Sequence, residues 1–214
     1  MAGVREIGPL AAVLLLGSVA AQQAPHDWLI VPGVRVGPIT ASSTEAGLRE
    51  VFGTRNVHTR RADAEVVTGL TSTLIYSDPS KALGISWAGI HPEAISFCFG
   101  HNEEAGAWKT SSGIRCGTTL RELEAFNGRP FTLSGYSGDR GGTVLSWDGG
   151  RLDAELGGAL KIAVAPRGGR WRDGLSYAAL AKLNGATVQS DDATLQELNP
   201  SVYSMTFRFV RTNR

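Results

Sequence analysis

Apolar residues recur at a spacing of three to four residues in two short stretches of the chain. Leu120, Leu123 and Phe126 form one stripe within GIRCGTTLRELEAFNGRPF, and Leu48 with Val51 or Phe52 forms the other. In both stretches a pair of hydroxyl residues precedes the apolar stripe and a glycine follows it. Hydroxyl residues are typical helix N-caps, and glycine is typical of the left-handed position that ends a helix. The pattern predicts two short amphipathic helices.

The two predicted helices belong to a longer internal similarity. VGPITASSTEAGLREVFG, which starts at Val36, aligns with SSGIRCGTTLRELEAFNG at an offset of 75 residues. Downstream, STLIYSDPSKAL (72–83) is similar to GTVLSWDGGRL (142–152), and each is followed by a strand-like run, LGISW or ALKIAVA. Asp148-Gly149 is typical of a tight hairpin turn. We therefore expect two tandem units, each with a helix, a loop and an antiparallel hairpin.

The expected fold class is α+β, with short helices packed on antiparallel β-sheet in two tandem repeats. After the second hairpin, two short helical patterns and a final alternating strand, SVYSMTFRFV, predict a C-terminal extension. The expected divisions are a signal peptide over 1–21, a linker and first strand over 22–35, a first unit over 36–104, and a second unit with the extension over 105–214.

The first 21 residues have the layout of a secretory signal. Arg5 precedes the apolar run PLAAVLLLGSVA, and small residues follow as far as Ala21. The run is shorter than the roughly 20 apolar residues of a membrane span, and a buried N-terminal helix is the alternative. No cysteine lies near the cleavage point, so a lipid anchor is not expected. We predict a soluble periplasmic or secreted protein without a transmembrane segment after cleavage.

Charge argues against a polyanionic partner. The 214 residues carry a formal charge of only +1, so no overall field attracts nucleic acid or an anionic membrane. Arg170, Trp171 and Arg172 form one local basic and aromatic patch. On a near-neutral chain this patch indicates a solvated loop or a contact with an acidic partner, and with Trp108 it supplies the candidate interface residues.

Cys98 and Cys116 are the only cysteines. In an oxidising compartment they can close a loop and stabilise the fold by about 3 kcal/mol. The alternative is a pair of buried free thiols. The C-x-x-C spacing of redox and zinc sites is absent.

Candidate catalytic groups are few. The chain has no G-x-S-x-G motif, and the densest group of possible metal ligands is HPEAISFCFGHNEE, with His91, Glu93 and His101. It lacks the P-C-x-x-C of zinc deaminases and the H-E-x-x-H helix of metalloproteases, and a solvated hairpin end is the simpler explanation. Asp139 and Asp148 suggest calcium, but no EF-hand is present. We expect no catalytic centre, no resident metal and no cofactor.

The motif I-x-x-G-T-T-L-x-E-L-x-x-x-N-G-R-P resembles the helix start of small helix-plus-sheet repeats. These occur in outer-membrane assembly lipoproteins of the SmpA/OmlA type and in the β-lactamase-inhibitor-protein fold. A group of uncharacterised exported bacterial proteins is also similar, through residues Asn127 to Phe131, Gly135, Asp139, Gly142, Val144, Trp147, Gly150 and Leu152. In the first two families the module binds other proteins and is not catalytic, so the resemblance implies protein binding.

Taken together, these observations predict an exported, non-catalytic binding or interaction module. Its expected partner is another exported or envelope protein, with no role for nucleic acid. Two alternatives stay open. One is a periplasmic metal-assisted hydrolase that uses His91, Glu93 and His101; the other is a secreted protein inhibitor of an enzyme.

Overall fold

The computed structural model describes residues 27–61, 71–99, 105–136, 141–166, 181–185 and 187–210. Within these ranges four α-helices are complete: α1 (Glu45–Phe52), α2 (Leu120–Asn127), α3 (Arg151–Leu156) and α4 (Ala193–Leu198). A 3₁₀ turn covers Thr54–Asn56. The strands are β1 (Leu29–Val31), β2 (Arg35–Val36), β3 (Ile39–Thr40), β4 (Val57–Arg61), β5 (Thr71–Ile75), β6 (Leu83–Ala88), β7 (His91–Phe97), β8 (Lys109–Thr110), β9 (Thr132–Ser134), β10 (Val144–Ser146), β11 (Leu160–Ala165), β12 (Thr187–Gln189) and β13 (Ser201–Arg208). The predicted signal peptide lies outside the described residues.

The largest element is a six-stranded sheet in the order β11-β13-β7-β6-β5-β4, antiparallel throughout. Its strands alternate apolar with polar or small residues, so one face is apolar. That face packs into the core through Val57, Thr73, Ile75, Leu83, Ile85, Trp87, Ile95, Phe97, Leu160, Ile162, Met205 and Phe207, all of them buried. The α+β class predicted from the sequence is confirmed.

Two smaller sheets complete the architecture. One has the order β3-β2-β1-β8, in which β1 and β8 run parallel. The other has the order β10-β9-β12 and is antiparallel. Buried side chains from these sheets and from the helices join those of the six-stranded sheet in a single hydrophobic cluster. Among the described residues no helix is long and apolar enough to cross a membrane.

The two helices predicted from the apolar stripes are confirmed, and both ends of α2 are shifted by 75 residues from those of α1. Thr44 caps α1 by accepting a hydrogen bond from the backbone N–H of Gly47. Thr119 forms a capping box with Glu122, in which each side chain accepts from the other residue's backbone N–H at 3.3 and 2.7 Å. Gly128 ends α2 with a left-handed conformation.

The second predicted hairpin is wrong. The first one forms, since β5 pairs with β6, but in the corresponding stretch a helix, α3, follows the turn at Asp148 and Gly149. Leu152 and Leu156 are four residues apart and both buried, a spacing that favours a helix. β11 then pairs along its length with β13, and a single antiparallel bridge between Thr143 and Ala163 joins it to the segment before β10. The sheet thereby joins both halves of the chain, and the two-unit division stays a prediction.

The C-terminal extension agrees with the sequence where the structure describes it. Asp192 caps α4, and Asn199 ends it in a left-handed conformation before Pro200. The alternating pattern of the last segment forms β13, in which Met205 and Phe207 are buried. Most of the helix predicted over 175–185 lies outside the described residues, although residues 181–183 are helical.

A buried hydrogen bond inside the sheet gives a first stability prediction. The indole Nε1–H of Trp87 donates to Thr73 Oγ1 at 2.9 Å, and both residues are buried. Replacing Thr73 by valine keeps the shape but leaves the indole without its acceptor. We expect a loss of about 1–3 kcal/mol in the free energy of unfolding, measured by urea denaturation. Thr187→Val, at an exposed position of β12, should change it by less than about 0.5 kcal/mol; equal effects would contradict the assignment.

Candidate functional site

The second face of the six-stranded sheet is exposed along its two borders and largely half-buried over its middle strands. We call it the open face and define it by the outward side chains of the paired strands. These are His58, Arg60, Ser72, Leu74, Gly84, Ser86, Ala88, His91, Ala94, Ser96, Lys161, Ala163, Ser204, Thr206 and Arg208. All except the buried Ala163 are exposed or half-buried, whereas the residues that alternate with them are mostly buried. The exposed and half-buried side chains of this face can contact a partner.

The strand register places these side chains in straight rows across the sheet. In one row Lys161 pairs with Thr206, Thr206 with Ser96, and Ser96 with Gly84. The row continues from Gly84 to Leu74 and from Leu74 to His58. Neighbouring strands lie about 4.8 Å apart, so the row spans about 24 Å. A parallel row runs from Arg208 to Arg60.

The lysine and arginine side chains of the open face lie at its two borders. Lys161 and Arg208 lie at the β11–β13 border, and His58 and Arg60 lie on β4. No paired position of the face carries a carboxylate among the described residues, and Glu93 lies in the bulge at the start of β7. The ion pairs of the described residues are Arg35–Asp27, Arg49–Glu45 and Lys81–Asp78. The border cations are therefore not neutralised by those carboxylates.

An aromatic ring lies near the middle of this face. Phe99 follows the end of β7, and its Cζ lies 2.6 Å from the place where a side chain on Gly84 would begin, so a larger residue there would displace the ring. The ring keeps 40% of its surface exposed. The preceding residue, Cys98, forms a disulfide with Cys116, which is buried before α2. The disulfide thus fixes the point from which Phe99 extends over the sheet.

A groove opens beside the open face, where β10 separates from β11. Thr143, the residue before β10, forms an isolated antiparallel bridge with Ala163 of β11, and the backbone N–H of Val164 donates to the carbonyl of Gly142 at 2.9 Å. Gly142 has a φ of 73° and packs against the Val164 carbonyl, so a side chain there would force the strands apart. Beyond this contact lies a cavity of about 440 Å³.

The lining of the groove is rich in hydrogen-bond donors. It consists of Ser134, Thr143, Leu145, Lys161, Ile162, Ala163, Ser204 and Thr206. Ser134 Oγ accepts from the Thr143 backbone N–H at 3.0 Å. Lys161, Ser204 and Thr206 belong to the open face as well, so groove and face form one continuous surface. Leu145, which is 55% exposed, adds an apolar wall.

The metal cluster suggested by the sequence is not assembled by the described residues. His91 and Glu93 are exposed at the start of β7, and His101 lies outside the described ranges. Within those ranges no three His, Cys, Asp or Glu side chains come together as metal ligands.

Asp148, the carboxylate considered for calcium, forms a hydrogen bond within the fold: Thr132 Oγ1 donates to its carboxylate at 2.8 Å. Hydrogen bonds from Ser146 and Thr132 lower the pKa of Asp148.

One predicted interface residue is wrong. Trp108 is only 2% exposed, and its Nε1–H donates to the carbonyl of Lys81 at 2.7 Å. Its ring packs on those of Trp28 and Phe97, so it is part of the core. A large apolar ring near a buried strand is more stable inside than on the surface. The other candidates, Arg170, Trp171 and Arg172, lie outside the described residues.

Sequence reasoning missed the open face, although a weak signal for it exists. Ser, Thr, Gly and Ala alternate with large apolar residues in LGISW, AISF and YSMTF. This alternation shows that one side of each strand carries small side chains. It does not show which strands lie side by side, and the continuous face depends on that pairing.

Comparisons with known proteins add one structural similarity. No protein family matches the chain, and no curated protein matches it in sequence. The chain is similar to the crystal structure of the uncharacterized protein yfeY from Escherichia coli, with a TM-score of 0.45 and 16% sequence identity. The match covers 83% of this chain and 98% of that protein.

Proposed function

We propose that this protein is an exported, non-catalytic binding module that holds another exported or envelope protein on its open face. The observation that carries the proposal is the open face of the six-stranded sheet, about 24 Å wide, with its exposed borders and half-buried middle. Its strands are five to eight residues long. Such a face can bind a partner of modest size without any change in the backbone.

The composition of the open face supports a protein partner. Small hydroxyl residues allow a close approach, and Phe99 supplies one large, half-exposed ring near the centre. Aromatic anchors surrounded by small polar contacts are typical of binding hot spots. The polar remainder agrees with an interface that forms between proteins that are each stable alone.

The export part of the proposal has two supports. The first 21 residues have the charge and apolar pattern of a secretory signal. The disulfide between Cys98 and Cys116 favours an oxidising compartment, because cytosolic reductants keep most thiols reduced. Both supports are independent of the open face.

Photo-crosslinking in the producing cells tests the proposed function. We expect p-benzoylphenylalanine at Ser86 or Ser96, in the centre of the open face, to give a discrete crosslinked species of higher mass. The same group at Ala154 or Glu197, which are exposed on α3 and α4, serves as the control and should give none. Equal labelling from all four positions, or none from the open face, would contradict a binding role for that face.

A further inference from the structure

We infer that the segment bound on the open face is an extended, acidic stretch of the partner protein that crosses the strands between the two charged borders. This inference rests on the proposed function and specifies the chemistry of the partner. Its basis is the position of the cations, the neutral middle of the face and the donors in the groove.

The borders determine the charge of the partner. Lys161 and Arg208 on one side, and His58 and Arg60 on the other, face the same surface of the sheet. The structure gives Lys161 and Arg208 no ion pair with a described residue. Carboxylates of a partner would supply the missing opposite charge at both borders.

The spacing of the borders determines the length of the segment. Lys161 on β11 and Arg60 on β4 lie at opposite sides of the six strands, about 24 Å apart across the sheet. An extended chain advances about 3.3 Å per residue, so about seven residues separate the two acidic positions. Between them the face presents hydroxyl groups, Leu74 and the ring of Phe99. The middle of the bound segment should therefore be apolar and the ends acidic.

The groove explains how an acidic end would be held. Lys161, Ser204 and Thr206 are among the residues that line it. Neither hydroxyl has a hydrogen-bond partner among the described residues, and both can donate. A carboxylate oxygen accepts several such bonds, and bonds to an ionised group are the stronger kind.

A protein segment fits this surface better than a nucleic acid. Nucleic acid presents closely spaced phosphates and requires a continuous basic track. The open face instead has two cationic borders separated by a wide neutral region, on a chain with a formal charge of +1. An acidic peptide with an apolar centre matches that arrangement.

Charge reversal combined with crosslinking tests the inference. In the full chain with p-benzoylphenylalanine at Ser96, the double change Lys161→Glu and Arg208→Glu should reduce the crosslinked yield at least about fivefold, the effect of losing two ionic contacts. Raising the salt to about 0.5 M should weaken the wild-type crosslink as well. Because both side chains are exposed, thermal melting should be unchanged. The matched control reverses Lys109 and Arg55, which are exposed outside the open face, and should keep the full yield.

Each outcome decides between the proposals. A crosslinked partner peptide with two acidic positions about seven residues apart supports the inference, provided that its yield falls on charge reversal. A yield that is unaffected by charge reversal would overturn the acidic segment and leave binding by the open face intact. Nuclease-sensitive material, or a species with the mass of two copies of this chain, would also overturn it. No crosslink from the wild-type face would overturn both proposals.

Discussion

Replacing Asn127 by alanine is expected to lower the free energy of unfolding by about 3 kcal/mol. The carboxamide is buried at the end of α2. Its Nδ2 donates to the carbonyls of Arg129 and Trp147, both at 2.9 Å, and its Oδ1 accepts from the Leu152 backbone N–H at 3.3 Å. Alanine would remove all three bonds and leave the backbone N–H of the buried Leu152 without this acceptor, and a buried group without a partner costs about 1–3 kcal/mol. Urea denaturation followed by circular dichroism measures the loss.

The matched control is Asn184→Ala, because Asn184 is exposed and its side chain has no hydrogen bond with a described residue. We expect a change of less than about 0.5 kcal/mol there. If the two alanine variants unfolded at the same urea concentration, the proposed role of Asn127 in joining α2 to α3 would be wrong.

Loss of the disulfide is expected to have an effect of similar size. Cys98 and Cys116 are 18 residues apart, and opening a loop of that length lowers stability by about 3 kcal/mol. The bond links the end of β7 to the segment before α2 and restricts the unfolded chain. Urea denaturation of the oxidised protein, with and without dithiothreitol, measures the difference.

The control is the variant with both cysteines changed to serine. It should have the stability of the reduced protein, and dithiothreitol should not affect it further. An unchanged midpoint for the wild-type protein in dithiothreitol would contradict a stabilising role for the bond. In the reduced protein we also expect weaker crosslinking from Ser96, because Phe99 follows Cys98 directly and loses its fixed position over Gly84.

Local signals explain why the helices could be predicted. Thr119, Glu122 and Gly128 act on backbone groups within one helix, so their effect does not depend on the rest of the chain. The same holds for Asp192 at α4. Strand β13 could be predicted from its alternation, because a period of two distinguishes a half-buried strand from a helix.

Misleading local signals explain the failures. Asp148-Gly149 is typical of a hairpin, and it does form a turn with positive φ at both residues. The type of element after the turn depends on the burial of Leu152 and Leu156, which lie on one face of a helix. Tryptophan is common at protein interfaces, yet Trp108 is buried. Its burial is favourable because its Nε1–H donates to the backbone carbonyl of Lys81.

The sequence by itself determined the helix ends, which face of each strand is apolar, and the α+β class. It also supplied two cysteines that can form one disulfide. Tertiary structure decided that Cys98 meets Cys116, that β7 pairs with β13 across about one hundred residues of chain, and that the small and basic side chains of six strands become one open face. The physical reason is that alternation fixes which side of a strand is apolar, whereas the neighbour of each strand depends on packing summed over the whole molecule.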